Sequence, residues 1–189
     1  MAKVAATDPF KQLDDDELVA LARIDMDKGD IEKAIIKIKC VLNRNSEDME
    51  AVGTLGKIYA QIGLFEKSKA YMKQYLDLQP GAVTETFQYG MVHFDSGDKD
   101  QALQIWEQLL DSQPTHPPTL FYKGLALAQN NNVADARQTL GILLQSAAAD
   151  NLYFGKAKEL LQALDAGATS TEAGTAAAGM PGDAYKVIN

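Results

Sequence analysis

Apolar residues recur every three or four positions along most of this 189-residue chain, a spacing that places them on one face of an α-helix. One such run extends from Leu18 to Ile24, and the next extends from Ile31 to Leu42. The segment DKGD lies between them, and its glycine can adopt the left-handed backbone that ends a helix. The pattern predicts two amphipathic helices joined by a tight turn, and it returns three more times with the turns QIGL, DSGD and QNNN.

This hairpin pattern is an internal repeat with a period of 34 residues. Gly56 and Gly90 are separated by that distance, and so are Pro80 and Pro114. A lone helical hairpin cannot bury its apolar face, so neighbouring repeats must stack to form a core. Four repeats fit without an insertion, over residues 15–48, 49–82, 83–116 and 117–150, and a small residue keeps the same phase in each, as Ala34, Ser68, Ala102 and Ala136.

These repeats resemble the tetratricopeptide repeat (TPR) family, whose unit of about 34 residues has a small residue near its eighth position and a tyrosine, an alanine and a proline further on. The first and fourth repeats depart from that pattern. Asp25 stands at the tyrosine position of the first repeat, while Asn131 replaces the turn glycine and Ala148 the closing proline of the fourth. The second repeat fits best, with Leu55, Gly56, Tyr59, Gly63, Phe65, Ser68 and Pro80.

The resemblance implies an all-α fold, a right-handed TPR superhelix (α-solenoid) of four helical hairpins over residues 15–165. Residues 151–165 have the apolar spacing of one further helix, which we expect to cap the fourth hairpin. Residues 166–189 are rich in Ala, Gly and Thr and predict a disordered tail, because they cannot bury enough apolar surface to become ordered. Residues 1–14 are expected to be flexible or to form a short leading turn.

Composition and charge narrow the classes of function. The formal net charge is −8 and the sequence pI is about 4.7, which argues against general nucleic-acid binding, where a basic face must neutralise phosphates. No apolar run approaches the roughly 20 residues that span a bilayer, so we expect no direct membrane insertion. The first residues lack the apolar core of a secretory signal. The sequence therefore predicts a cytoplasmic protein.

The residue types that carry catalysis or hold metals are few. Cys40 is the only cysteine, which excludes an intrachain disulfide and a cysteine-based zinc site, and it is expected to be a small buried hydrophobe. His93 stands where the family packs an aromatic ring, and His116 lies in a predicted loop where we expect it to be solvated. Trp106 is expected in the core between helices. With no catalytic or phosphate-binding motif, the sequence predicts no enzyme, no cofactor and no metal.

The resemblance also implies a binding face, because the first helices of successive TPR repeats line a concave groove. The N-terminal half of that groove would present two cations, Arg23 and Lys57. The C-terminal half would be apolar, and leaving so much apolar surface in water would be unusual. The members of that apolar half are Phe87, Met91, Phe94, Phe121 and Leu125.

These features together predict a non-enzymatic adaptor or scaffold that binds a peptide or amphipathic helix of a partner protein in its groove. The carboxylate clamp by which some TPR proteins hold heat-shock protein tails has no counterpart at the corresponding positions. Two alternatives stay open: a cytosolic chaperone for a hydrophobic cargo protein that is secreted or assembled, and a structural unit that self-associates as a homo-oligomer. The final helix, or Val187 and Ile188 in the tail, could also cover the apolar half.

Overall fold

A computed structural model describes residues 10–166, and over that range the chain forms nine α-helices and no β-strand. Four helix pairs begin at residues 15, 49, 83 and 117, so successive pairs are 34 residues apart and start at the first residue of each predicted repeat. Residues 167–189 of the tail predicted over 166–189 lie outside the described range, and so do the first nine residues. The helices are α1 (Asp15–Asp27), α2 (Ile31–Arg44), α3 (Met49–Gln61), α4 (Phe65–Leu78), α5 (Val83–Asp95), α6 (Lys99–Ser112), α7 (Pro117–Gln129), α8 (Val133–Ser146) and α9 (Leu152–Asp165).

The helices fall into two compact units, which we call the N-terminal unit (α1–α4) and the C-terminal unit (α5–α9). In the N-terminal unit α1 packs on α2 and α3 packs on α4, and α3 also contacts both α1 and α2. In the C-terminal unit α5 pairs with α6 and α7 pairs with α8, while α7 also contacts α5, α6 and α9. The predicted all-α helical-repeat fold is therefore confirmed. Within the described range no helix is both long and apolar enough to cross a lipid bilayer.

The four predicted hairpin turns each contain one residue with a left-handed backbone. Their φ angles are 79° at Gly29, 74° at Gly63, 88° at Gly97 and 59° at Asn131. Glycine adopts this conformation without a steric cost, and asparagine is among the few other residues that tolerate it. The prediction that Asn131 replaces the turn glycine in the fourth hairpin is confirmed.

Helix pairs approach closely where a glycine of the first helix meets a large side chain of the second. A Cβ atom at Gly56 would lie 3.0 Å from Met72 Cγ, and one at Gly124 would lie 2.7 Å from Leu140 Cγ. The second helix has its own small residue at each crossing, and Ser68 Oγ donates a hydrogen bond to the backbone oxygen of Gly56 at 2.8 Å. The small residues at both positions thus set how near the paired helices lie.

The start of α1 is anchored by a side chain from α2. Arg44 donates through Nη1 to the backbone oxygen of Leu13 and to Asp15 Oδ1, both at 2.9 Å, and through Nη2 to the backbone oxygen of Phe10 at 3.0 Å. Phe10 and Leu13 are partly buried against the core of the N-terminal unit. The short leading turn that the sequence allowed is therefore present over residues 10–13, immediately before the helix.

An ion pair takes the place of the usual tyrosine in the first repeat. Asp25, at the tyrosine position of α1, pairs with Lys37 of α2, and both side chains are largely buried. The Lys37 ammonium also lies 5.9 Å from the centre of the Phe10 ring. A buried charge is tolerated only when it is paired, so this departure from the repeat pattern is compensated within the same hairpin.

Candidate functional site

The odd-numbered helices lie beside one another within each unit. In the N-terminal unit α1 contacts α3, and in the C-terminal unit α7 contacts both α5 and α9. Side chains from these neighbouring helices can therefore form one surface within each unit. The residues predicted for the groove all lie on these helices, so the two surfaces are the candidate binding faces.

The face of the N-terminal unit contains a pair of opposite charges. Arg23 Nη2 of α1 lies 2.6 Å from Glu50 Oε1 of α3, with 54% and 48% of the two side chains exposed. An exposed ion pair contributes little to stability, so Arg23 is accessible to an acidic group of a ligand. Lys57, the second predicted cation, lies on α3 and is half-buried.

In the C-terminal unit, four of the five side chains predicted for an open apolar groove are buried. Phe87 and Met91 are 6% and 3% exposed to solvent, and Phe121 and Leu125 are not exposed at all. The prediction that they form an exposed apolar surface is wrong, because neighbouring side chains cover them. The Phe87 ring stacks on Trp106 at 6.3 Å between centres.

The last helix supplies part of this cover. The ring of Tyr153, on α9, lies 5.7 Å from the ring of Phe121. This contact corresponds to the alternative in which the final helix covers part of the apolar groove. Whether these buried side chains take part in binding stays a prediction.

The three odd-numbered helices of the C-terminal unit each contribute one ring to a continuous series, which we call the aromatic row: Phe94 of α5, Tyr122 of α7 and Tyr153 of α9. Tyr122 lies between the other two, with ring centres 6.4 Å from Phe94 and 6.3 Å from Tyr153. Phe94 and Tyr153 are only half-buried, whereas Tyr122 is buried. Phe94 is thus the predicted apolar groove residue that is half-buried, whereas the other four are buried.

A lysine stands at the α9 end of the aromatic row. Lys156 Nζ lies 5.9 Å from the centre of the Phe121 ring and 6.0 Å from that of Tyr153. Such contacts attract the ammonium group to the ring faces. Within residues 10–166 no carboxylate pairs with Lys156. Burial raises the pKa of the Tyr153 phenol, so this hydroxyl stays protonated at neutral pH and can donate a hydrogen bond.

The sequence did not identify Tyr122, Tyr153 or Lys156 as candidate site residues. The last helix was interpreted as a cap of the fourth hairpin or as a cover of the apolar half, although Tyr153 and Lys156 are three residues apart and therefore share one face of it. The spacing of these two residues was the signal that could have identified the site. Their position makes α9 both a cover for the core and a contributor to the accessible surface.

The two histidines have packing roles. His93 is buried, with its ring edge against Tyr89 at 4.8 Å and Nδ1 3.0 Å from Asp98 Oδ2, which agrees with the predicted packing. His116 is half-buried, and its Nδ1 lies 2.7 Å from Thr119 Oγ1. Burial lowers the pKa of His116, which favours its neutral form. The prediction that His116 is solvated is wrong, because its ring packs against the ring of Phe87.

Trp106 is fully buried, as predicted, and its indole N–H donates to the backbone oxygen of Phe87 at 3.2 Å. Cys40 is partly buried against the core of the N-terminal unit. In the part of the chain that the structure describes, no cluster of three or more His, Cys, Asp or Glu side chains could hold a metal ion.

Two family models match the chain, and each describes a tetratricopeptide repeat. One covers residues 50–81 and the other covers residues 89–151, which together amount to half of the chain. The first range lies within the second repeat (49–82), which fits the TPR pattern best in the sequence. The second range contains α6, α7 and α8 together with most of α5.

Similar proteins include one curated relative and several solved structures. BBSome complex member BBS4 from Bos taurus is 28% identical over 100 residues, or 53% of this chain, and the match spans only 19% of BBS4. A tetratricopeptide repeat protein from Parabacteroides merdae has a TM-score of 0.71 and 18% identity, over 86% of this chain and 63% of that one. YrrB, a TPR protein with an unusual peptide-binding site, has a TM-score of 0.64 and 14% identity, over 88% and 86%. Because these identities are low, the solved structures show a similarity of fold alone.

Proposed function

Because the chain belongs to the tetratricopeptide repeat family, we propose that it is a non-enzymatic adaptor or scaffold that binds a partner polypeptide on its odd-numbered helices. The TPR fold is in general a scaffold for protein–protein interaction. YrrB, which shares the fold, is a TPR protein with a peptide-binding site, and BBS4 is a member of a complex. These similarities support the class of function, and the residues of this chain support where binding takes place.

The aromatic row of the C-terminal unit is the surface that best fits a polypeptide. Phe94 and Tyr153 are half-buried, so an apolar side chain of a partner can displace water from both rings. Lys156 lies at the end of the row without a carboxylate partner in the described range, and the residue is half-buried. We therefore expect a partner segment that combines aromatic or aliphatic side chains with an aspartate or glutamate.

The face of the N-terminal unit offers a second set of contacts. Arg23 is exposed beside Glu50, and Lys57 lies on the same helix as Glu50. Acidic residues of a partner can interact with this face, mainly by raising the rate of association. Charged contacts at exposed positions add little affinity, so the aromatic row supplies most of the binding free energy.

The chaperone alternative required a large open apolar surface. Four of the five side chains predicted for that surface are buried, among them Phe121 and Leu125 with no exposure. A face with two half-buried rings and one lysine is better suited to a short segment of defined sequence than to an extended hydrophobic cargo. We therefore favour the adaptor function over the chaperone function.

Selection of random peptides displayed on phage tests this proposal without a known partner. The wild-type protein should enrich peptides with an aromatic or aliphatic residue near an acidic one. In Lys156→Glu the preference for acidic residues should change to a preference for Lys or Arg. The affinity of that variant for wild-type-selected peptides should fall about tenfold.

The matched control is Lys158→Glu, which makes the same charge change two residues along α9, where the side chain is exposed. Because neighbours two residues apart face different sides of a helix, this variant should select the same peptides as the wild type. An unchanged selection by Lys156→Glu, or the same change in both variants, would contradict the location of the site. Failure of the wild type to enrich any peptide would contradict the function.

A further inference from the structure

The first helix carries an apolar stripe on its solvent-exposed side. Leu21 and Ile24 of α1 are 36% and 46% exposed, and Ala20 beside them is also exposed. The opposite side of the helix is fully buried in the core, through Leu18 and Ala22. A helix exposed on one side normally carries polar residues there, so the stripe of Ala20, Leu21 and Ile24 needs an explanation of its own.

The last helix of the described range shows the usual arrangement. On α9 the exposed residues include Lys158, Glu159 and Gln162, and its buried residues are Ala157, Leu160 and Leu164. Apart from Leu152 at its first position, which is 65% exposed, its outer side is therefore polar, as is required of the terminal element of a repeat array. On α1, by comparison, the centre of the outer side is apolar although exposed charged residues lie around it, which makes this centre a candidate contact surface.

Charged residues at the two ends of the stripe have opposite signs. Glu17 lies one turn before Leu21 and Lys28 lies one turn after Ile24, and both are exposed on the same side of the helix. Glu17 Oε2 accepts a hydrogen bond from the backbone N–H of Asp14, and Glu17 Oε1 is not part of that hydrogen bond. The stripe thus has an acidic end, an apolar centre and a basic end.

This order is self-complementary under a two-fold axis. If two α1 helices pack antiparallel with the axis between residues 22 and 23, Leu21 of one lies opposite Ile24 of the other. In the same arrangement Glu17 of each copy lies opposite Lys28 of its partner. A two-fold interface uses the same patch on both subunits and therefore needs such self-complementarity. The small side chain of Ala20 allows the two helices to approach closely near the axis.

We propose that α1 is a homodimer interface, in which a second copy of this chain packs antiparallel against Leu21 and Ile24 and exchanges Glu17–Lys28 ion pairs with the first. The interface has two large apolar side chains from each copy and is therefore smaller than a standard stable one. Association is consequently weak and concentration-dependent. The stripe belongs to the N-terminal unit and the aromatic row belongs to the C-terminal unit, so the test of this interface is independent of the proposed partner binding.

Analytical ultracentrifugation of the full chain over a concentration series tests this interface with paired charge variants. Glu17→Lys places lysines at both ends of the stripe and Lys28→Glu places glutamates at both ends, so each variant alone should repel its own copy. Each should weaken self-association about tenfold or more relative to the wild type. An equimolar mixture of the two variants should recover it. In a mixed dimer the introduced lysine faces the introduced glutamate, and the Glu17 and Lys28 that remain face each other across the axis.

Recovery in the mixture also controls for folding, since a variant that had unfolded could not regain association. Lys39→Glu provides a matched change of charge at an exposed position of α2 and should self-associate like the wild type. A wild-type protein that stays monomeric across the whole series would overturn the proposal. Dimers that persist in both single variants, or no recovery in the mixture, would overturn it as well.

Discussion

Replacing Gly90 with alanine is expected to destabilise the protein by about 2–3 kcal/mol, although alanine is the better helix former. A Cβ atom at this position would lie 2.2 Å from Trp106 Nε1 and 2.7 Å from its Cδ1. The indole cannot easily move away, because it is fully buried and its N–H donates to the backbone oxygen of Phe87. Its ring also packs against the ring of Phe94 at 5.8 Å between centres. The two helices α5 and α6 would have to separate.

Gly141→Ala is the matched control for this substitution. Gly141 lies inside α8, and a Cβ atom there would meet nothing within 4 Å. The variant should therefore be more stable than the wild type by about 0.5–1 kcal/mol, the usual gain for this change in a helix. Urea unfolding followed by circular dichroism measures both changes. If Gly90→Ala proved as stable as Gly141→Ala, the close crossing of α5 and α6 would not depend on the glycine.

Phe121→Ala is expected to lower the free energy of unfolding by about 3–5 kcal/mol, the range for removing a buried phenylalanine. The side chain is fully buried, and its ring contacts Tyr122 and Tyr153 at 5.2 and 5.7 Å between centres. Since Tyr153 belongs to α9, loss of the ring also removes part of the contact that holds the last helix on α7. Hydrogen exchange should therefore accelerate in α9 more than in α5 and α6.

The comparison with Phe94→Ala separates core packing from surface. Phe94 is half-buried at one end of the aromatic row, so its removal should cost less stability than that of Phe121 while reducing affinity for selected peptides. Chemical unfolding and peptide titration on the same two samples give both quantities. If Phe121→Ala unfolded as late as Phe94→Ala, the Phe121 ring would be accessible, as the sequence alone suggested.

The sequence was most informative where structure depends on nearby residues. The period of 34 residues predicts where each helix pair begins. The turn residues within each pair also follow the pattern, since Gly29 and Asn131 both adopt the left-handed conformation that it predicts. The small residue at each crossing faces a large one sixteen residues further on, as Gly90 faces Trp106. These relations lie within one repeat and are therefore visible in a single sequence.

The accessibility of the candidate site could not be predicted in this way. A repeat position indicates the direction in which a side chain points, but not which other side chains cover it. Phe87 was expected to be open and is stacked on Trp106, while Phe121 lies beneath Tyr153 of a helix outside the four repeats. Burial of His116 has the same origin, because it follows from packing against Phe87. Each error concerns a contact between separate elements of the chain.

Amide chemical-shift mapping tests most directly whether the C-terminal unit binds a polypeptide on its aromatic row. A peptide enriched by the wild-type protein would be titrated into the isotopically labelled full chain. Binding as proposed predicts that the largest shifts occur on α5, α7 and α9, around Phe94, Tyr122 and Lys156. Shifts confined to α6 and α8, with the aromatic row unchanged, would contradict the claim.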